Sequence, residues 1–143
     1  MTEVRVTNSK TGGQKGVKPE RFELIPVEPL LALAKHYGVG GLKYEDDNWQ
    51  KGYDWKLSYG ALQRHAQAWW SGEEWGVEVF VNRLTGEEVQ VTTNHMISVA
   101  WHAFALYYFS QHHRSLRPAQ FGRFSVPSHL HPPYEVVKTH LAA

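Results

Sequence analysis

The chain has 143 residues, a formal net charge of +1 and no Cys. Near-balanced charge argues against a protein dominated by non-specific phosphate-backbone binding, and the lack of Cys excludes a disulfide framework, a zinc ribbon and a thiol nucleophile. Six Trp, seven Tyr and six Phe supply rings that each bury about 150–250 Å², enough for one core, so residues 1–143 are read as a single domain.

Residues 1–25 lack a sustained helical period, and Gly12, Gly13 and Gly16 each penalise a helix by about 1 kcal/mol, so this stretch is expected to be an extended arm. Pro26 and Pro29 suit a helix start. After them Leu30, Leu31, Leu33, Ala34 and Tyr37 form an apolar face that is predicted to end at Gly38, with Gly40 and Gly41 following. Leu42 to Trp55 reads as a polar loop in which acidic, basic and aromatic groups alternate. A second helix is predicted over 57–71 on the spacing of Tyr59, Leu62, Ala66 and Trp69, with Gly72 ending it.

The period then changes to alternation around Asn-Arg-Leu-Thr-Gly, which predicts a β-hairpin at about 77–92. From Thr93 as N-cap, a third helix carries apolar residues around much of its circumference and is expected to be central. His112, His113, Arg114 and Arg117 suit its C-terminal end, and Pro118 its exit. Residues 114–143 read as a mostly irregular tail with at most a short helix near Glu135 to His140. The expected fold is therefore mainly α: a small bundle of three helices spanning 26–113, an inserted hairpin and two extended arms.

Several residues carry the chemistry that a phosphoanhydride would need. Lys15, Lys18, Arg21, Lys43 and Arg64 are the cations to aim at a triphosphate, guanidinium favouring bidentate contacts and ammonium acting as a point charge. For the basic arm, a flexible tail is the competing reading. Tyr44, Trp49, Trp55, Trp69 and Trp70 can stack on a base, Trp49 in its polar loop best and Trp69 more in keeping with a core, while Asn48 can read a purine edge. Glu73 and Glu74 at a helix end are the first candidates for holding a hard cation, with Glu45, Asp46, Asp47, Glu87 and Glu88 as others and solubilising surface charge as the alternative. His65 and His95, with Glu73, are the candidate catalytic groups, since imidazole transfers protons near neutral pH. His102 lies seven residues beyond His95 on the same helical face, so a histidine cluster forms if the second helix packs alongside. The competing role is that of hydrogen-bonded interior histidines.

Four ordered stretches, TGGQKGVKPERFELIP (11–26), GLKYEDDNWQKG (41–52), ALQRHAQAWWSGEE (61–74) and NHMISVAWHAFALYYF (94–109), together resemble the phage-associated dATP/dGTP diphosphohydrolase N-terminal domain family. The resemblance implies a small helical domain related to MazG-like pyrophosphohydrolases. It implies conversion of a purine dNTP to a dNMP and pyrophosphate, Mg2+ (or Mn2+) held by carboxylates, and a homo-oligomer, dimeric or higher. Where MazG-like enzymes place paired carboxylates on successive helices, this chain offers Arg64 and His65, then His95 and Ser98. That substitution keeps open a non-catalytic module binding a nucleotide or a host protein. A cytoplasmic location is expected, with no membrane partner, because residues 1–16 have no apolar run and no segment reaches about 18 apolar residues. A nucleic-acid partner is not expected.

Overall fold

The structure is a computed structural model that describes residues 3–122. These fall into two compact units, 3–26 and Val27–Gly122. The short helix expected near Glu135 to His140 lies outside the described residues.

The first unit folds back as a hairpin where an extended arm was expected. Strands β1 (Val4–Thr7) and β2 (Gln14–Val17) pair antiparallel, Val4 opposite Val17 and Thr7 opposite Gln14. Asn8 organises the turn: its side-chain oxygen accepts from the amides of Lys10 and Thr11 at 2.9 and 3.0 Å, and Gly12 takes φ +75°, where a side chain would be strained. The glycines therefore serve a hairpin. A 3₁₀ turn at Phe22–Leu24 follows.

In the second unit α1 (Val27–Lys43) runs through Gly38, Gly40 and Gly41 instead of stopping at the first. Glycine lowers helix propensity without forbidding a helix, and tertiary contacts decide the outcome here. The end of α1 is capped from a distance. Arg83, in the turn of the later hairpin, donates its backbone N–H to the Leu42 carbonyl at 2.8 Å. Its Nε lies 2.8 Å from the carbonyls of both Gly41 and Tyr44. These are carbonyls that a helix end otherwise leaves without partners.

Helix α2 (Trp55–Trp70) opens two residues earlier than predicted because Asp54 caps it, accepting from the Lys56 amide at 3.1 Å. It ends as predicted at Gly72, φ +107°: Glu73 N–H reaches the Ala68 carbonyl and Gly72 N–H that of Trp69, the paired bonds of a Schellman end. Strands β3 (Trp75–Val81) and β4 (Glu88–Asn94) form the expected hairpin, with Phe80 opposite Val89. Helix α3 (His95–His112) is capped by Asn94, one residue beyond Thr93, through a 2.9 Å bond to Met96 N–H.

α3 is central, lying along α2 and against α1 and β4. Trp55, Ala105 and Phe109 form the buried cluster, with Trp49, Tyr53, Trp101, Leu106 and Tyr108 packed around it. The loop between α1 and α2 is fastened to the same helix: His113 Nε2 hydrogen-bonds the Gln50 carbonyl at 2.7 Å. Next to it a Cβ at Gly52 would come within 2.8 Å of the His113 ring.

Because one guanidinium holds the α1 end, Arg83→Ala is expected to lower unfolding stability by about 1–2 kcal/mol, read as a lower urea midpoint. Arg83→Lys should restore little of it, since an ammonium lacks the planar fork.

Candidate functional site

A cavity of about 850 Å³ opens between the C-terminal half of α1, the loop after it, β3 and α3. That is within the roughly 300–1,000 Å³ typical of small-ligand sites. Its aromatic wall is built from three elements. Tyr37 comes from α1, Trp49 from the 3₁₀ turn Asn48–Lys51, and Trp101 from α3. The ring centroids of Trp49 and Trp101 are 5.9 Å apart at 68°, and those of Tyr37 and Trp101 are 5.9 Å apart. Along α1 the lining includes Gly38, Gly40 and Gly41, and a Cβ at Gly38 or Gly40 would touch nothing within 4 Å. Asp47 turns the loop at the rim in the left-handed region, φ 60°, a conformation that Asp adopts more readily than most residues.

The charge of the cavity is the reverse of what a triphosphate alone prefers. Glu45, Asp46, Asp47 and Glu78 are among its lining residues, and among the described residues Lys43 is the one Lys or Arg beside them. The Lys43 ammonium is engaged by the Glu78 carboxylate, and this hydrogen bond raises its pKa. Arg83 approaches Asp46 at 4.0 Å and Lys51 approaches Glu45 at 3.9 Å, exposed pairs that contribute little energy.

The expected histidine cluster forms because α2 packs beside α3. His65 Nδ1 and His95 Nδ1 are 2.8 Å apart, which requires one to donate and the other to accept. The His65 and His102 rings stack at 6.1 Å. His95 is buried, its Nε2 3.5 Å from Glu73 Oε2, and it fills the space over Gly76, where a Cβ would lie 2.8 Å from its ring. His102 Nδ1 is 3.0 Å from Ser58 Oγ, and Ser58 Oγ is 2.5 Å from Tyr53 OH. Burial, then the nearby His65, His36 and Arg64 charges, lower the His102 pKa to about 4. Burial lowers those of His36 and His65 too.

The residues expected to bind a nucleotide divide into groups. Lys43, Tyr44, Asn48 and Trp49 line the cavity together. Arg64 is exposed on α2 and is not in the wall. Lys15, Lys18 and Arg21 belong to the first unit, where Lys18 approaches Glu3 at 3.9 Å and Arg21 pairs with Glu23. His65, His95 and Glu73 meet one another but are absent from the cavity wall, which His102 supplies. Glu74 is exposed, and its backbone carbonyl accepts from the His95 amide at 3.0 Å. Sequence reading missed His36, Tyr37, Tyr53, Ser58, Glu78 and Trp101 as wall or wall-supporting groups. Trp101 and Tyr37 sit at helical spacing that reads as core, and no local pattern brings Glu78 to Lys43.

Among the described residues, no three His, Asp or Glu side chains come together to hold a metal ion. Glu73 and Glu74, the first candidates for holding a hard cation, belong to no such group of three. The rim carboxylates have the hard oxygen donors that Mg2+ prefers, and Mg2+ commonly uses only one or two of these beside substrate phosphates.

Residues 9–118 match the family described as dATP/dGTP diphosphohydrolase, N-terminal. This match covers most of the chain, and the chain belongs to that family. No curated protein and no solved structure matches it. No helix among the described residues is long and apolar enough to cross a membrane.

The lowered histidine pKa values fix the sign of an acid effect. In the folded state these groups bind fewer protons than in the unfolded state between their folded pKa and 6.5. Stability is thus complete above about 6.5 and is lost as pH falls toward 4. Melting temperature measured across pH 7 to 4 should fall, and His102→Gln should flatten that slope; an unchanged slope would contradict a neutral, buried His102.

Proposed function

We propose that this chain binds a purine deoxynucleoside triphosphate with its base in the aromatic-walled cavity, and converts dATP or dGTP to a dNMP and pyrophosphate. The observation that carries the reading is the meeting of Tyr44, Asn48 and Trp49 with Tyr37 and Trp101 around one cavity, in a chain of this family. In a phage-infected cell such an activity reshapes the precursor pool in the cytoplasm.

The charge pattern orients the ligand. Aromatic faces favour the base, and base–aromatic stacking contributes about 1–3 kcal/mol per base. The phosphates extend to the rim, where Glu45, Asp46 and Asp47 would repel them unaided. Those carboxylates are the groups proposed to meet a divalent cation carried by the phosphates, with Mg2+ or Mn2+ supplying charge neutralisation when bound. Lys43 exchanges Glu78 for a phosphate oxygen in this reading. In this reading His65 stacks on His102 and is held in turn by His95 and Glu73, so the cluster supports that ring instead of meeting the phosphates.

A second reading, a non-catalytic module with a protein partner, is favoured by one observation. Trp75, Val77, Val79 and Val81 alternate along β3 and are each more than half exposed, an apolar row of the kind that marks contact surfaces. The same row is proposed as the self-association face of a homo-oligomer. Light scattering should then show a larger species that Val77→Lys with Val79→Lys reduces to the monomer.

Incubation with each dNTP and Mg2+ or Mn2+ should release pyrophosphate and dNMP from dATP or dGTP. Binding without turnover would select the second reading. Tyr44→Ala should weaken purine dNTP binding by about fivefold or more. Gly40→Ala is expected to have opposite effects on two measurements, raising stability by about 1 kcal/mol as a better helix former while weakening nucleotide binding by placing a methyl group in the cavity. Equal gains in both would argue against the cavity as the binding site.

A further inference from the structure

One wall of the cavity ends in a hydrogen-bond chain with no fixed polarity. Tyr53 and His102 both line the cavity, and the fully buried Ser58 hydroxyl joins them, 2.5 Å from Tyr53 OH and 3.0 Å from His102 Nδ1. Every member can donate or accept: two hydroxyls and a neutral imidazole. Among the described residues, no carboxylate, backbone amide or carbonyl hydrogen-bonds to these side-chain atoms to set the direction of this chain. His102 Nε2 takes no partner among the described residues and is not among the buried unpartnered atoms.

Two arrangements with the same three protons are possible. In the first, Tyr53 donates to Ser58, Ser58 donates to His102 Nδ1, and Nε2 carries the ring proton. In the second, the hydroxyls rotate and the ring proton passes from Nε2 to Nδ1 by exchange with water. His102 then donates to Ser58, Ser58 to Tyr53, and Nε2 offers a lone pair. Purines that differ at the 6-position ask for these opposite polarities: guanine presents an oxygen acceptor there and adenine an amino donor.

We infer that the Tyr53–Ser58–His102 chain is a reversible reader of the purine 6-position, with His102 Nε2 donating to guanine and accepting from adenine. The inference rests on nucleotide binding in this cavity. It explains how one rigid pocket takes both purines without a second conformation. The ring stays neutral near pH 7 because its surroundings hold its pKa at about 4, so a single exchangeable proton is available. Tyr53 and Ser58 are positioning residues that act through His102.

Removing either hydroxyl should favour one polarity. In Tyr53→Phe the Ser58 proton has only Nδ1 to bond, and in Ser58→Ala a proton on Nδ1 would be buried without a partner. A stranded donor is costly, so both variants should keep the proton on Nε2 and select guanine.

The test uses the full chain with the non-hydrolysable α,β-methylene analogues of dATP and dGTP. Calorimetry should show wild type binding both. Tyr53→Phe and Ser58→Ala should retain the dGTP analogue while weakening the dATP analogue by about five- to tenfold. In wild type, the 15N resonance of His102 Nε2 should be of the protonated type with the dGTP analogue and of the lone-pair type with the dATP analogue. An unchanged affinity ratio in both variants, or the same tautomer with both analogues, would overturn the inference and leave nucleotide binding intact. If wild type binds neither analogue, the nucleotide reading fails and the inference with it. The wild-type tautomer measurement decides the matter even where a variant does not fold.

Discussion

The carbonyl groups at the end of α1 point away from their own helix, and Arg83 gathers them. Through its backbone amide and Nε it reaches Gly41, Leu42 and Tyr44, residues about forty positions earlier in the chain. This contact lets a helix containing three glycines in its last turns persist, and it ties the β3–β4 turn to the α1 end. The cavity lies between the elements so joined, which makes its shape a consequence of that capping. Lys43 and Glu78 close the same seam a few residues away. Their exposure keeps the energy of that ion pair small, so the directional bonds of Arg83 contribute most to holding the two elements together.

Where the controlling interactions are local, the sequence predicts the structure closely. Asp54 and Asn94 cap helices within three residues of where periodicity begins, Gly72 ends α2, and alternation around Asn82 to Gly86 gives the hairpin. Prediction fails where distant residues take control. Gly38 reads as a stop because nothing nearby shows that Arg83 will cap the helix five residues on. The stretch containing Gly12 and Gly16 reads as an extended arm because Val4 to Thr7 is too short a strand to recognise before its partner is known. For the site, the loop residues Tyr44, Asn48 and Trp49 were legible from their polar, aromatic-rich setting. Trp101 and Tyr37 were not, since an aromatic at helical spacing looks the same whether it faces a core or the wall of a cavity.

The histidines show a similar limit. Seven-residue spacing placed His95 and His102 on one face, and the packing of α2 against that face brought His65 to both. Sequence alone could not rank the three. His95 is buried against Gly76, and His65 lies between its neighbours. Only His102 shares the wall with Tyr37 and Trp101. Of the three, the imidazole that lines the cavity is thus the one bonded to the Ser58 hydroxyl of α2, which in turn meets the Tyr53 hydroxyl of the loop before it.

A cavity with aromatic walls and an acidic rim imposes a division on any nucleotide it takes. The base can be drawn in by stacking and by displacement of water from apolar surface, effects that ionic strength hardly alters. The phosphates must instead be neutralised, and among the described residues of the wall the Lys43 ammonium is paired with Glu78. Affinity for the base and tolerance of the phosphates therefore depend on different groups and respond to different conditions. The division is already visible in the chain: Tyr37 and Trp101 of the aromatic wall come from helices, and Glu45, Asp46 and Asp47 stand on the loop after α1.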